Sequence, residues 1–205
     1  IEFWVKPLAS LRGTRIVTKK VASESTGSYM IGFQSSGTPN TLFWGITTTT
    51  DGKYHEVVSS TSAALQVNKW YHIVATYKSG QGLMIYINGE KIASSAPLSG
   101  NIAKSSGSSI HNAPLFIGYD GGGRSTRWLK GALDEIRIYP RALTQQQILQ
   151  RYLESKDGLS NSSTLNSWET NVGEQWKCEV TPNDSYQDGT PKVSNILPGP
   201  GHINS

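Results

Sequence analysis

The sequence predicts an all-β protein: a two-sheet antiparallel jelly-roll sandwich with one short C-terminal helix and a β-rich tail. Successive runs of aromatic and β-branched residues, each of strand length, are separated by Gly, Asn, Asp, Ser and Pro. A single stretch near residue 148 carries the 3.6-residue apolar spacing of a helix. Only 17% of the 205 residues are charged, and Ser, Thr and Gly are abundant, which suits a secreted all-β protein better than a helical cytosolic one.

Residues 1–7 (IEFWVKP) read as the first strand. Residues 15–20 (RIVTKK), 28–34 (SYMIGFQ) and 41–48 (TLFWGITT) follow, and an Asp51-Gly52 turn leads into residues 53–58 (KYHEVV). The stretch that organises the rest is residues 69–92, KWYHIVATYKSGQGLMIYINGEKI. Residues 70–77 and 83–87 form two strands around a Ser-Gly-Gln-Gly turn, and Asn88-Gly89, which tolerates the positive φ of a type I′ turn, brings residues 90–93 back alongside. Alternation puts Tyr71, Ile73, Ala75 and Tyr77 on one face and Trp70, His72, Val74 and Thr76 on the other. Neither face is plainly solvent-facing, so this meander needs a second sheet to cover it.

Residues 98–113 are rich in Ser, Gly and Asn and predict a surface loop before a strand at residues 115–118. The three glycines within residues 120–127 (DGGGRSTR) predict a mobile or sharply folded rim loop. Thr144 with Gln147 matches a capping box, Ile148, Leu149, Tyr152 and Leu153 form an apolar stripe, and Gly158 is a fitting stop. From residue 157 a polar linker leads to a tail in which Trp176, Cys178 and Val180 alternate as one strand, residues 184–189 supply a turn, and residues 192–197 return.

The strings IEFWVKP, WYHIVATYKSGQGLMIYINGEKI, LFIGYD, KGALDEIRIYPRALTQQQI and RYL, in this order, resemble the laminin G-like, concanavalin A-like jelly rolls of extracellular proteins. The likeness covers residues 1–156. Residues 157–205 are a linker plus a partial segment resembling the end of an immunoglobulin-like domain, with Cys178 where that family has an inter-sheet cysteine. The resemblance implies a further strand ahead of residue 1. We therefore expect a chain that is a piece of a longer polypeptide, or a strand position beside residues 1–7 filled by strand addition and hence by self-association. It also implies a short helix packed on the sandwich, and one structural Ca2+ with Asp134 as the leading side-chain ligand, followed by Asp120 and Asp51.

Catalysis finds little support. A laminarinase-type glycosidase on this fold carries E-x-D-x-x-E, two carboxyls about 5 Å apart, and that motif is absent. Asp134 and Glu135 are adjacent on one strand and should point to opposite faces, unable to act together. His55, His72, His111 and His202 include no pair at zinc-ligand spacing, and a single Cys excludes an internal disulfide. The net charge of +4 is scattered without a basic stripe, which argues against nucleic acid, and no apolar run reaches membrane-spanning length.

Glycan binding requires exposed aromatic faces with hydrogen-bonding neighbours. The candidates are Trp44, Tyr54, His55, Tyr119, Arg124, Arg127 and Trp128. The reading is a non-catalytic, extracellular or cell-surface carbohydrate-binding or adhesion module of a larger multidomain protein, with a glycan or cell-surface protein as partner. Its alternatives are a structural subunit of an extracellular filament or surface layer joined by strand exchange, and a polysaccharide-active hydrolase or lyase whose catalytic residues follow no recognised motif.

Overall fold

Two five-stranded antiparallel sheets face each other. In chain order the strands are β1 (Glu2–Pro7), β2 (Arg15–Lys19), β3 (Tyr29–Phe33), β4 (Leu42–Thr47), β5 (Tyr54–Val58), β6 (Tyr71–Lys78), β7 (Gly82–Ile87), β8 (Glu90–Ser94), β9 (Leu115–Ile117) and β10 (Gly131–Arg137), followed by helix α1 (Gln145–Ser155). The first sheet runs β10-β1-β6-β7-β8 and the second β5-β4-β3-β2-β9. The computed structural model describes residues 1–20, 27–103, 114–120, 127–156, 175–176, 179–180, 190–193 and 197–198. The chain divides into two units, Ile1–Leu159 and Ser160–Ser205.

Alternation decides what each strand buries. Phe3 and Val5 of β1, Ile73 and Ala75 of β6, and Leu83, Ile85 and Ile87 of β7 meet Ile31 and Phe33 of β3 and Leu42, Trp44 and Ile46 of β4 in one core. Trp44 ties the two sheets together, because its indole Nε1 donates across the core to the Thr76 carbonyl at 2.9 Å. The expected turn between β7 and β8 is present, with Asn88 at φ 52° and Gly89 at φ 84°.

The opposite face of β6 is also dry. His72 and Val74 are fully buried and Thr76 nearly so. They point to the outer side of the first sheet, where Ile148 of α1 is likewise fully buried and Tyr152 stacks on His72 at 6.1 Å. The helix starts at the capping box the sequence predicts, with the Gln147 amide donating to Thr144 Oγ1 at 3.3 Å and the Thr144 amide donating to Gln147 Oε1 at 3.0 Å. So β6 is covered by a second sheet on one side and by a helix on the other.

One expectation is corrected. The strand position beside residues 1–7 is not open, because β1 is an interior strand paired with β10 on one side and β6 on the other. The first sheet ends instead at β10 and β8.

In the second unit β11 (Gln175–Trp176) pairs antiparallel with β14 (Leu197–Pro198), and β12 (Glu179–Val180) pairs antiparallel with β13 (Lys192–Val193). This is the pairing of residues 176–180 with residues 192–197 that the alternation suggested. Cys178, Gly158 and the turn at residues 184–189 lie outside the described residues, as do residues 104–113 and 121–126 of the predicted loops.

Replacing Trp44 with Phe keeps an aromatic ring in the core and removes the bond between the sheets. We expect a loss of about 1–3 kcal/mol, the usual cost of deleting one partner of a buried hydrogen bond. Urea denaturation checks it: the midpoint should fall with no change in slope.

Candidate functional site

The outer face of the second sheet is built by the residues that alternate with the core set. Register places Phe43 opposite Val58 and Gly32, Gly45 opposite Met30 and Glu56, and Thr18 opposite Met30 and Phe116. Side chains here should meet solvent, yet Thr18, Met30, Phe43 and Thr47 are all buried. Gly45 is required by its neighbour: a Cβ there would overlap the Tyr54 hydroxyl, so the glycine gives the Tyr54 ring a flat seat on the sheet.

Polar groups are strung across this face. The Tyr54 hydroxyl donates to Glu56 Oε2 at 3.3 Å, and Gln34 Nε2 donates to Glu56 Oε1 at 2.7 Å. Burial and the charge of Glu56 push the Tyr54 phenol well above its ordinary value, so it stays a protonated donor. Arg15 is buried with its guanidinium 4.5 Å from the centroid of the Phe43 ring, and Nη1 donates to the Gly13 carbonyl at 3.2 Å. Its Nε has no hydrogen-bond partner among the described residues. Burial lowers the Arg15 pKa, and the like charge of Arg127 adds to that.

At the β9 end the sheet carries an aromatic rim. Phe116 and Tyr119 meet edge-on at 5.8 Å, and Tyr119 and Trp128 meet edge-on at 5.6 Å. The Thr18 hydroxyl holds the Tyr119 carbonyl at 3.3 Å, and the Leu129 amide holds Gly118 at 2.8 Å, which fixes both sides of the rim. Arg127 Nη1 pairs with Asp120 Oδ2 at 3.0 Å. Asp120 is only 1% exposed, whereas Trp128 is 55% exposed. A rigidly mounted indole therefore stands in solvent beside an arginine locked in orientation by a buried carboxylate.

The structure thus brings Tyr119, Arg127 and Trp128 together, with Tyr54 on the same face of the sheet. Trp44 is corrected: at 2% exposure and bonded across the core, it is a structural residue that offers no face for stacking. His55 sits apart at the β4–β5 hairpin, where its Nε2 lies 3.0 Å from Asp51 Oδ2. Arg124 lies outside the described residues. Arg15, Gln34, Phe43, Glu56 and Phe116 join the face without having been singled out, and only register identifies them.

The three acids proposed as calcium ligands do not converge. Asp51 accepts from Thr48 Oγ1 at 2.6 Å, the Lys53 amide at 3.0 Å and His55, and the Thr48 and Lys53 bonds hold its pKa well below the usual carboxylate range. Asp120 is engaged by Arg127, and Asp134 Oδ1 accepts the amide of Glu135 at 2.8 Å. Among the described residues no group of three or more His, Cys, Asp and Glu side chains is placed to hold a metal ion together.

Asp134 and Glu135 bring a second correction. The β1–β10 register slips between Glu2 and Trp4, and Glu135 takes up the extra residue at φ 50°. That bulge breaks simple alternation, and both acids line one small cleft.

Beneath α1 lies a polar cluster of structural character. Glu2, 2% exposed, receives the Tyr139 hydroxyl at 2.6 Å and lies 3.0 Å from His72 Nε2, with Arg137 and Arg151 each 3.7 Å away. Burial alone would raise the Glu2 pKa. The bonds from His72 and Tyr139 and the neighbouring positive charge outweigh it and hold the carboxyl below its ordinary value.

A family model described as the concanavalin A-like lectin/glucanases superfamily matches residues 1–149. The chain belongs to the laminin G-like members of that superfamily. The human adhesion G-protein coupled receptor D1 is 31% identical to this laminin G-like chain over 129 residues, which is 62% of the chain and 13% of the receptor. The binding domain of Paraclostridial Mosquitocidal Protein 1 superposes with a TM-score of 0.55 at 20% identity, covering 100% of this chain and 53% of that one. The receptor binding domain of the botulinum neurotoxin C/D mosaic serotype gives 0.50 at 16% identity over 75% of this chain and 35% of that one. At these identities the two solved structures show a shared fold. This chain spans a small part of the receptor and about half of the mosquitocidal binding domain.

Because the Glu2 carboxyl is more acidic in the folded protein than its ordinary 4.5, its contribution to stability is complete above that value and is lost as pH falls through the folded value. Thermal midpoints measured at descending pH should decline below about pH 5, the onset for a carboxylate of ordinary unfolded pKa. Glu2→Gln should start lower at neutral pH and show a flatter decline. A parallel decline in the variant would place the acid sensitivity elsewhere.

Proposed function

We propose that this chain is a non-catalytic carbohydrate-binding or adhesion module that works outside the cell as part of a longer polypeptide, and that the Trp128 rim, with the polar groups of Tyr54, Gln34 and Glu56 on the same sheet, is the contact surface. The observation that carries the proposal is the exposed Trp128 indole, held edge-on by Tyr119 beside the Arg127–Asp120 pair. Sugar recognition needs these three things together: an apolar plane for the C–H face of a ring, oriented donors for its hydroxyls, and a mount rigid enough to keep the entropy cost of binding small. Tyr54 and Gln34, both tied to Glu56, extend the polar surface along the same sheet.

Relatives support this direction. The matching human protein is by name an adhesion receptor, and the solved structure with the larger TM-score is by title a binding domain. Membership of a superfamily that holds both lectins and glucanases leaves binding and hydrolysis as the two chemistries to weigh. The outer face favours binding, since among the described residues its acids, Glu56 and Asp120, are each engaged by a donor and form no carboxyl pair for acid and nucleophile roles.

A glycan array followed by calorimetry on a captured ligand provides the test. Trp128→Ala should weaken binding by about 1–3 kcal/mol, the usual loss on removing an aromatic anchor, and should leave the melting temperature nearly unchanged. A large drop in melting temperature, with or without lost binding, would remove Trp128 from the rim. Reducing-end and unsaturated-product assays on the same polysaccharides should show no turnover. Turnover abolished by Asp134→Asn or Glu135→Gln would replace the binding reading with an enzymatic one.

A further inference from the structure

A second cleft lies on the other side of the sandwich. Trp4, Trp70, Asp134, Glu135, Ser155 and Lys156 enclose about 200 Å3 between the β1–β10 pair and the C-terminal end of α1. Trp4 projects from the outer face of the first sheet, opposite His72 and Asp134 in register. Its ring is held by His72 at 5.3 Å and Tyr152 at 6.0 Å, and its Nε1 donates to Ser155 Oγ at 3.2 Å. It cannot turn away from the cleft.

Trp70 is different. It precedes β6, lies outside the core cluster and is 43% exposed, and no ring stacking or hydrogen bond holds it among the described residues. Its exposed part leaves an apolar plane open at the mouth of the cleft, where a ligand ring can cover it. The bulged strand supplies the polar edge. With Oδ1 taken by the Glu135 amide, Asp134 keeps Oδ2 as an acceptor. Glu135 is paired with Arg137 at 2.8 Å, and Lys156 brings one more positive charge.

The lining holds two acids, Asp134 and Glu135, and one base, Lys156; Arg137, which lies outside the lining, neutralises Glu135 and leaves Asp134 facing Lys156, so neither a cation nor an anion is favoured. What fits is a neutral, flat-faced ligand bearing several hydroxyls. The cleft is also smaller than the roughly 300–1,000 Å3 of a typical drug-sized site, which leaves room for a single ring. We propose that this cleft is a second saccharide subsite: one neutral sugar ring stacks on Trp70 against the wall formed by Trp4, with its hydroxyls bonded to Asp134 and Lys156. It faces away from the Trp128 rim and does not depend on it.

The test uses the intact 205-residue chain and follows the indole N–H signals by NMR. The probes are methyl glycosides of glucose, galactose and N-acetylglucosamine, taken to roughly 50 mM, well above the millimolar dissociation constant expected for one stacked ring. At least one should shift the Trp70 and Trp4 indoles saturably. Trp70→Ala should weaken that response about tenfold or more, as truncating an anchor does, and Asp134→Asn should weaken it without disturbing the fold. Trp128→Ala should leave the Trp70 and Trp4 shifts intact. The proposal is overturned if no probe shifts these indoles, if Trp70→Ala binds as well as the parent, if the shifts vanish in Trp128→Ala, or if choline or lysine saturates the cleft and the sugars do not. Failure of the Trp128 rim alone, with the Trp70 response preserved, would overturn the rim assignment and leave this one standing.

Discussion

A strand with no wet face forces everything around it to supply cover, and β6 is that strand. One side carries Ile73 and Ala75 into the core, and the other carries His72 and Val74 to the outer surface of the same sheet, all fully buried. A single sandwich covers only the first side. The second side requires α1, and α1 in turn requires a landing surface for Ile148 and Tyr152, which Trp4 and His72 provide. Burying a histidine there raises the question of its partner, and Glu2 answers it from the neighbouring strand with both carboxylate oxygens engaged. A buried charge is tolerated only when paired and bonded in this way.

The same requirement shapes the two surfaces proposed to meet ligands. At the rim, Asp120 is spent internally on Arg127, and the return is an arginine whose orientation is fixed where it meets solvent. At the cleft, α1 ends at Ser155 against the Trp4 indole, so the helix that covers β6 also closes one wall of that cleft. Each surface pairs one exposed tryptophan with side chains whose freedom was removed by packing, and preorganisation of this kind lowers the entropy lost on binding.

The Glu135 bulge shows how one residue redirects chemistry. Strict alternation would send Asp134 and Glu135 to opposite faces, whereas a φ of 50° at Glu135 lets both reach one cleft. A non-glycine residue in that region carries a conformational cost and persists only where the surroundings impose it. Here the β1–β10 register imposes it, with Arg137 held opposite Glu2 beyond the slip.

By itself the sequence determined the all-β class, the strand order along the chain, the Asn88-Gly89 turn, the capped helix at Thr144 and the laminin G-like family, because these rest on period, turn chemistry and local hydrogen bonds that neighbours in sequence supply. It also singled out Tyr119, Arg127 and Trp128 as candidates, since an aromatic and basic stretch flanking a glycine-rich loop is visible without coordinates, and the fold gathers these three at one end of the second sheet. Only the tertiary structure decided that Trp44 faces the core while Trp128 faces water, for an indole is equally at home in either setting and the sheet's register makes the choice. Register likewise closed both sides of β1 and drew Arg15, Phe43 and Tyr54 onto one surface from three separate strands. The cleft of Trp4, Trp70 and Asp134 was hidden for the same reason: its walls come from residues more than a hundred positions apart in places, and a bulge that no local pattern announces completes it.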